Sequence, residues 1–407
     1  MASRALAPLR YREFRLLFLG RLTSLTGSAI APIALAFAVL DITGSATDLG
    51  LVLAAGAVPQ IVLFLFGGVI ADRFRRNRVM VVTDVVDAAV QLIAAALVLH
   101  GSAEIWHLAL LNGIRGGASA FFFPAAQGLT PQTVPEDRLQ EANALLRLTF
   151  SGTNIVGAAL GGILVAAVGP GWALGWDGLT YLAGAVFIAA MRVPSTRLAT
   201  AGSTVVRELR EGWDEFAART WLWTIVLAAT VGNCAMQIGV TVLGPYVADT
   251  ELGGPDAWGL IVAAGGVGFL AGGLVAFRIR PSRPLLVAQA AVLLGGCWML
   301  GLALGLPAWA IALGAALAGV GFEIFGVFWD LALQQHVPRD KLSRVASYDA
   351  LGSFLAVPVG QVLAGPLAEL IGVTEAIWLA FGMYVVAQGG CLLVPDVRRL
   401  RRTDVPA

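Results

Sequence analysis

Apolar residues run along this chain in long unbroken blocks, parted by short polar joins. Twelve blocks of 21 to 28 residues can be drawn, at 14–40, 47–71, 78–99, 103–126, 141–168, 171–191, 221–248, 256–277, 284–304, 307–333, 345–370 and 373–394. A bilayer core is crossed by a helix of about 20 apolar residues, so each block is long enough to span. No ten-residue segments alternate between apolar and polar positions, and only helices or closed barrels satisfy their backbone in lipid. The pattern therefore predicts an all-α membrane protein of twelve transmembrane helices. Joins as short as the step from Gly169 to Gly171 make neighbouring helices antiparallel.

The arginines orient the helices. The N-terminus carries Arg4, Arg10, Arg12 and Arg15, and the C-terminus Arg398, Arg399, Arg401 and Arg402. Every join after an even-numbered helix, with its helix ends, is basic; the joins after odd-numbered helices hold no Lys or Arg. The excess of positive charge on cytoplasmic loops predicts both termini in the cytoplasm. Helix ends apart, Arg21 and Arg115 alone fall inside spans. The longest join, about 192–220, is the only linker, parting a bundle at 1–191 from one at 221–407. Within it Val205, Val206, Leu209, Trp213 and Phe216 fall near one helical face, the pattern of an amphipathic helix on the membrane surface.

Composition agrees. Of 407 residues 58% are hydrophobic and 13% charged, against about 25% charged in soluble chains. A net charge of +1 gives no field for nucleic acid. No GxxxxGK[ST] phosphate loop occurs, which argues against ATP drive within this chain. Cys234, Cys297 and Cys391 lie singly in apolar runs, and His100, His107 and His336 at span ends without ligand spacing, so no metal and no cofactor is expected. The first span leads directly into the next and is read as an uncleaved helix. No nucleophile–base pair suggests an enzyme.

The halves repeat. TVPEDRLQEA (133–142) aligns with HVPRDKLSRV (336–345) at an offset of 203, which also sets Gly157 on Gly360, Gly162 on Gly365 and Gly169 on Gly372. At an offset of 205, GGVIADRFRRNR (67–78) meets GGLVAFRIRPSR (272–283). Two pseudo-symmetric six-helix bundles are the plan of secondary transporters, which hold substrate near the midplane and expose it alternately to each side.

On these residues the chain resembles the major facilitator superfamily over essentially its whole length. GVIADRFRRNR is similar to the family's motif between helices 2 and 3, matching at Gly68, Asp72, Arg73 and Arg76, with Arg75 at a usual glycine. The resemblance gives Asp72 the role of a cytoplasmic gate latch. GTNIVGAALGG in helix 5 is similar to the antiporter motif at Gly152, Gly157, Gly161 and Gly162, with Ala158 in place of proline. LLNGIRGG places Arg115 like the membrane arginine of drug:proton antiporters. LGRLTSLTGSAIAPIALAFAV, WDGLTYL and LSRVASYDALGSF resemble the branch holding the enterobactin exporter and the macrolide efflux proteins, in which many members carry an acid where Ser28 stands.

Charges inside spans are candidate sites by default. Glu323 and Arg115 lie at similar depths, about 15 Å at 1.5 Å per residue, in repeat-equivalent helices that the resemblance places around the central cavity. Glu323 is the expected proton acceptor and Arg115 its counter-charge; the alternative is a fixed ion pair or a wetted glutamate without coupling. Asp330, near the same face as Glu323, is read as a gate or surface pair. Asp84 and Asp87 are read as a structural network with the loop arginines, and Asp177 and Asp349 as structural. Arg21 either reaches the headgroups or extends the cavity's positive lining. Asn143, Asn154, Asn233, Gln237, Phe322 and Phe325 are substrate-cavity candidates; an aromatic stripe at helical spacing is more often packing.

The expected function is proton-coupled export of a hydrophobic or amphiphilic small molecule, such as a drug, macrolide or siderophore, by a monomer in a bacterial inner membrane. Metabolite uptake and ligand sensing without transport are the alternatives. The expected partners are the substrate, protons and the lipid bilayer.

Overall fold

The computed structural model describes residues 7–135, 138–193, 213–338 and 341–402, and their side chains except at 64–73, 123, 140 and 342–344. Among the described residues twelve membrane-length helices follow one another: α1 Arg12–Thr43, α2 Ala46–Arg73, α3 Arg76–Leu99, α4 Ile105–Leu129, α5 Leu139–Val168, α6 Pro170–Ala189, α7 Thr220–Leu252, α8 Pro255–Arg278, α9 Pro284–Ala303, α10 Ala308–His336, α11 Leu342–Phe354 continuing as Val357–Ile371, and α12 Val373–Cys391. Their ends agree with the apolar blocks within four residues. Large apolar side chains such as Leu148, Val186, Leu274 and Val386 stay exposed on the helices, as a lipid-facing surface requires.

Three helices are broken or loosened beside a proline. Proline lacks a donor and its ring meets the carbonyl four residues earlier. Pro32 therefore ends the first half of α1 at Ser28, and the second half restarts at Ala31. Pro358 likewise ends the first half of α11 at Phe354. In α7, Pro245 is flanked by two wide turns, Gln237–Val242 and Ala248–Leu252, the local loosening that accompanies a helix bend.

The chain forms two compact units: the described part of Met1–Ala199 with Ala248–Ala263, and that of Thr200–Val247 with Ala264–Ala407. The hairpin between α7 and α8 thus groups with the first unit, where Gly162 of α5 packs on the backbone of Pro255 and Gly259.

Each unit repeats the same close approaches. Gly157 of α5 packs on Ala29 of α1, and Gly360 of α11 on Cys234 of α7. Gly116 of α4 lies against Gly56 of α2, and Gly319 of α10 against Gly265 of α8. Small residues let membrane helices touch through their backbones. Gly169 and Gly372, the single residues joining α5 to α6 and α11 to α12, share a positive φ, 86° and 100°. Only glycine adopts that region freely.

Of the antiporter-like glycines, Gly157, Gly161 and Gly162 meet Ala29, Ile30 and Gly259 respectively, while Gly152 faces open space. The gate-motif turn needs no glycine at position 75: Arg75 sits at φ −62° and starts α3 as its N-cap. Arg76 donates from Nη1 to the carbonyl of Gly128 at 2.5 Å, satisfying an orphan acceptor in the last turn of α4. Gly68, Asp72 and Arg73 complete α2 as helix, and their side chains lie outside the described residues. So do Val205, Val206 and Leu209 of the expected surface helix. Its described end, 213–217, is helical. There Phe216 is buried in the second unit's core with Trp221, Trp329 and Val345, while Trp213 stays exposed.

Candidate functional site

The first unit carries an open cavity of about 770 Å³ lined by α1, α2, α3, α4, α5 and α6. Its wall runs from Ser28, Asp87, Ser119 and Tyr181 at mid-helix to Thr130 and Pro131 at the join between α4 and α5. Phe122, Leu146 and Phe150 supply apolar faces; Gln60, Gln127 and Asn143 supply amides; Arg21, Arg147 and Asp87 supply charge. A drug-sized ligand needs about 300–1,000 Å³ with mostly apolar walls and a few placed polar groups.

Behind this wall lies an ionic cluster. Asp84 and Asp177 are fully buried and Asp87 is 3% exposed. Arg115 of α4 reaches Asp177 of α6 at 3.9 Å, with Tyr181 and Asp87 also within its electrostatic reach. Gln91 of α3 donates to the same Asp177 carboxylate. The Ser28 hydroxyl lies 2.9 Å from the Tyr181 hydroxyl. It also donates to the Ser24 carbonyl at 2.7 Å. Arg21 and Asp87 are the charged neighbours of Asp84. Both oxygens of Asp84, one each of Asp87 and Asp177, and Nε of Arg115 have no hydrogen-bond partner. A buried charge in a membrane costs at least about 2.5 kcal/mol, and five are gathered here. Packing makes the room: Gly27 of α1 lies directly against Asp177 and Thr180, where a side chain would collide.

These contacts redistribute the roles that the sequence led one to expect of the charges. Asp84, Asp87 and Asp177 join the intramembrane arginines instead of a loop network; the meeting of Asp87 and Asp177 with Arg115 links α3, α4 and α6, which no local spacing announces. Arg21 lines the cavity rather than the headgroups, and Asn143 lines it too. Asn154 is exposed and donates to the Phe150 carbonyl of its own helix.

In the second unit, Asn233 donates to the Ser353 carbonyl at 2.8 Å, and Gln361 to Gln237 Oε1 at 2.9 Å, ties between α7 and α11. Phe325 stacks on Trp329 and Phe322 on Phe269, as packing. Glu323 is half-buried and lies against Gly272 and Gly273 of α8. Asp330 is exposed one turn-pair further along α10. Asp349 accepts from Trp329 at 2.8 Å and from Ser353 at 3.2 Å, the structural role expected of it.

The family model described as transmembrane secretion effector matches residues 3–404. The chain belongs to that family of the major facilitator superfamily. Curated relatives include macrolide efflux protein A of Streptococcus pyogenes, 24% identical over 394 residues, covering 95% of this chain and 97% of the relative. The multidrug efflux pump Tap of Mycolicibacterium fortuitum is 27% identical over 411 residues, covering 96% and 97%. Among solved structures, the nucleoside transporter NupG superposes with a TM-score of 0.72 at 12% identity, over 95% of this chain and 99% of that one. A bacterial homologue of the lysosomal transporter Spinster, inward-facing and occupied, gives 0.70 at 15%, over 97% and 99%. These two share the fold. The chain is thus a multi-pass transporter of the major facilitator plan, with twelve helices in two pseudo-symmetric bundles.

Proposed function

We propose that the protein exports hydrophobic or amphiphilic small molecules from the cytoplasm by alternating access, driven by protons moving inward. The observation that carries this reading is the cavity of about 770 Å³, whose aromatic and aliphatic faces adjoin amides and charges. Such a wall accepts bulky amphiphiles by area and orients them by a few polar contacts. The relatives named for macrolide and multidrug efflux support the substrate class. The arginine-rich joins support cytoplasmic termini. Glu323 is the second unit's candidate for coupling and Asp330 a candidate gate residue; Asp72, in the motif with Gly68, Arg73 and Arg76, is the cytoplasmic latch in this reading.

Proteoliposomes test it. With erythromycin or an ethidium-type dye on the side equivalent to cytoplasm, an imposed proton gradient should drive accumulation, and substrate movement should acidify the cytoplasmic side. A protonophore should abolish both. Accumulation indifferent to the gradient removes proton coupling; binding without flux makes the protein a sensor. A Glu323→Gln variant with an unaltered pH profile removes Glu323 from the coupling path.

A further inference from the structure

Three carboxylates and two guanidiniums share the interior of the first unit: Asp84, Asp87 and Asp177 against Arg21 and Arg115. Fully ionised, that set carries one net negative charge. One bound proton makes it neutral. Asp177 is the carboxylate best provided for, facing Arg115 and accepting from Gln91. The shortfall falls on α3, where Asp84 and Asp87 stand three residues apart on one helical face. Asp84 is fully buried with neither oxygen hydrogen-bonded, and Asp87 has one oxygen likewise unpartnered. A carboxylate without hydrogen bonds in a buried site is costly as an anion.

We propose that Asp84 and Asp87 are the proton-carrying pair of this transporter, holding one proton between them and exchanging it through the cavity onto which Asp87 opens. The charged and titratable groups facing the pair are Arg21 from α1, Arg115 from α4, and Asp177 with Tyr181 from α6. Two like charges so close do not both ionise readily, so the pair binds one proton at a time. In the transfer step the carboxylic acid of Asp87 gives its proton to water in the cavity, and its carboxylate is left facing Arg115. Arg21 lines the same cavity and is the counter-charge of Asp84. A ligand entering there changes the solvation of Asp87 and Arg21 together. That links occupancy to protonation without a residue on the second unit.

This inference deepens the proposed export, and its first test needs no substrate. Infrared difference spectra of the reconstituted protein between acidic and alkaline buffer should show one buried carboxylic acid C=O band that titrates. The band should vanish in both Asp84→Asn and Asp87→Asn and persist in Glu323→Gln. Its survival in both Asn variants overturns the proposal. Failure of both to yield folded protein also overturns it, by making the pair structural. Erythromycin flux then separates this proposal from the export reading. The accumulation ratio of each Asn variant should fall to about 1, the equilibrium value for uncoupled carriers. Wild-type accumulation in both variants refutes the pair and leaves proton-driven export standing; absence of flux in the native protein refutes export and leaves the infrared result standing.

Discussion

The two units share a skeleton and differ in what they bury. Gly157 and Gly360, Gly116 and Gly319, and Gly169 and Gly372 repeat the same approaches and turns. Yet at the offset of 205, Val226, Gln289 and Val292 stand where the first unit has Arg21, Asp84 and Asp87. At 203, Ala318 and Ala380 stand for Arg115 and Asp177. Tyr181 and Tyr384 are equivalent; one meets Ser28, the other donates to the Val292 carbonyl, at the position of Asp87. Gln289 donates to the Gln388 carbonyl at 2.9 Å and to its side-chain oxygen at 2.7 Å. The second unit closes this region with neutral amides; the first closes it with ions. A fold that needs only neutral contacts here retains five charges in one half, so their cost is set against something other than packing.

The sharpest way to break this comparison is to remove one ion. Arg115→Ala leaves Asp177 and Asp87 without their counter-charge. Losing one member of a buried pair costs about 3–5 kcal/mol, so the variant should lose most of its thermal stability and all transport. Gln289→Ala, in the neutral half, should cost about 1–3 kcal/mol, the penalty for stranding one buried partner. Thermal unfolding followed by size exclusion reads both; equal losses would erase the distinction between the halves. Removing two charges together is milder. Arg115→Gln with Asp177→Asn should recover part of the stability lost in either single variant, since the coupling between contacting residues reaches about 0.5–3 kcal/mol, while gradient-driven flux stays absent. A double variant that transports would make the pair purely structural.

A smaller contrast lies in the space reserved for the ions. Gly27 of α1 and Gly232 of α7 are repeat equivalents at 205. A methyl at Gly27 meets the carboxylate and backbone of Asp177 and the hydroxyl of Thr180; one at Gly232 meets the movable amide end of Gln388. Overpacking typically costs about 1–3 kcal/mol, and Gly27→Ala should sit in that range with impaired flux. Gly232→Ala should sit at the low end of that range, because a side-chain end shifts more readily than backbone, at the cost of the Gln388 bond to the Ala228 carbonyl. Comparable unfolding temperatures for the two variants would show that α6 yields as readily as a side chain.

The skeleton was legible in the chain because its signals are local. A span declares itself in about twenty residues, and Gly169 and Gly372 mark their joins without reference to anything distant. Arg115 was legible as an intramembrane charge, but its partner was not. Asp177 sits 62 residues away on α6, in a string that reads as ordinary span, and the depth match with Glu323 pointed to the other unit. The signal that could have found the cluster was the repeat itself: charges whose equivalents are Val, Gln and Ala are not demanded by the fold. Asn233 and Gln237 show the converse, since an amide in a span reads as a cavity group and its cross-helix carbonyl or amide is seen only in the structure.

The least effect is expected where charge is only partly buried, outside the spans. Glu215 of the linker lies between Lys341 at 2.7 Å and Arg219 at 2.5 Å. The hydrogen bond from Lys341, followed by that from Arg219, holds its carboxyl below the usual glutamate range, although burial acts the other way. A depressed carboxylate stabilises the folded form above its unfolded value, about 4.3, and the benefit disappears as pH falls through the folded value. Between about pH 6 and 8 this latch should therefore be constant. Trp213, stacked on Phe216 and set edge-on to Tyr348 nearby, gives the readout. Its emission should hold steady through the neutral range and shift only in acid, and Glu215→Gln should reproduce the acid spectrum at neutral pH while leaving flux close to native. High salt should weaken the contact, as it screens exposed pairs. A linker transition near neutral pH, matched by a change in flux, would mean that the linker charges regulate transport as strongly as those inside the spans.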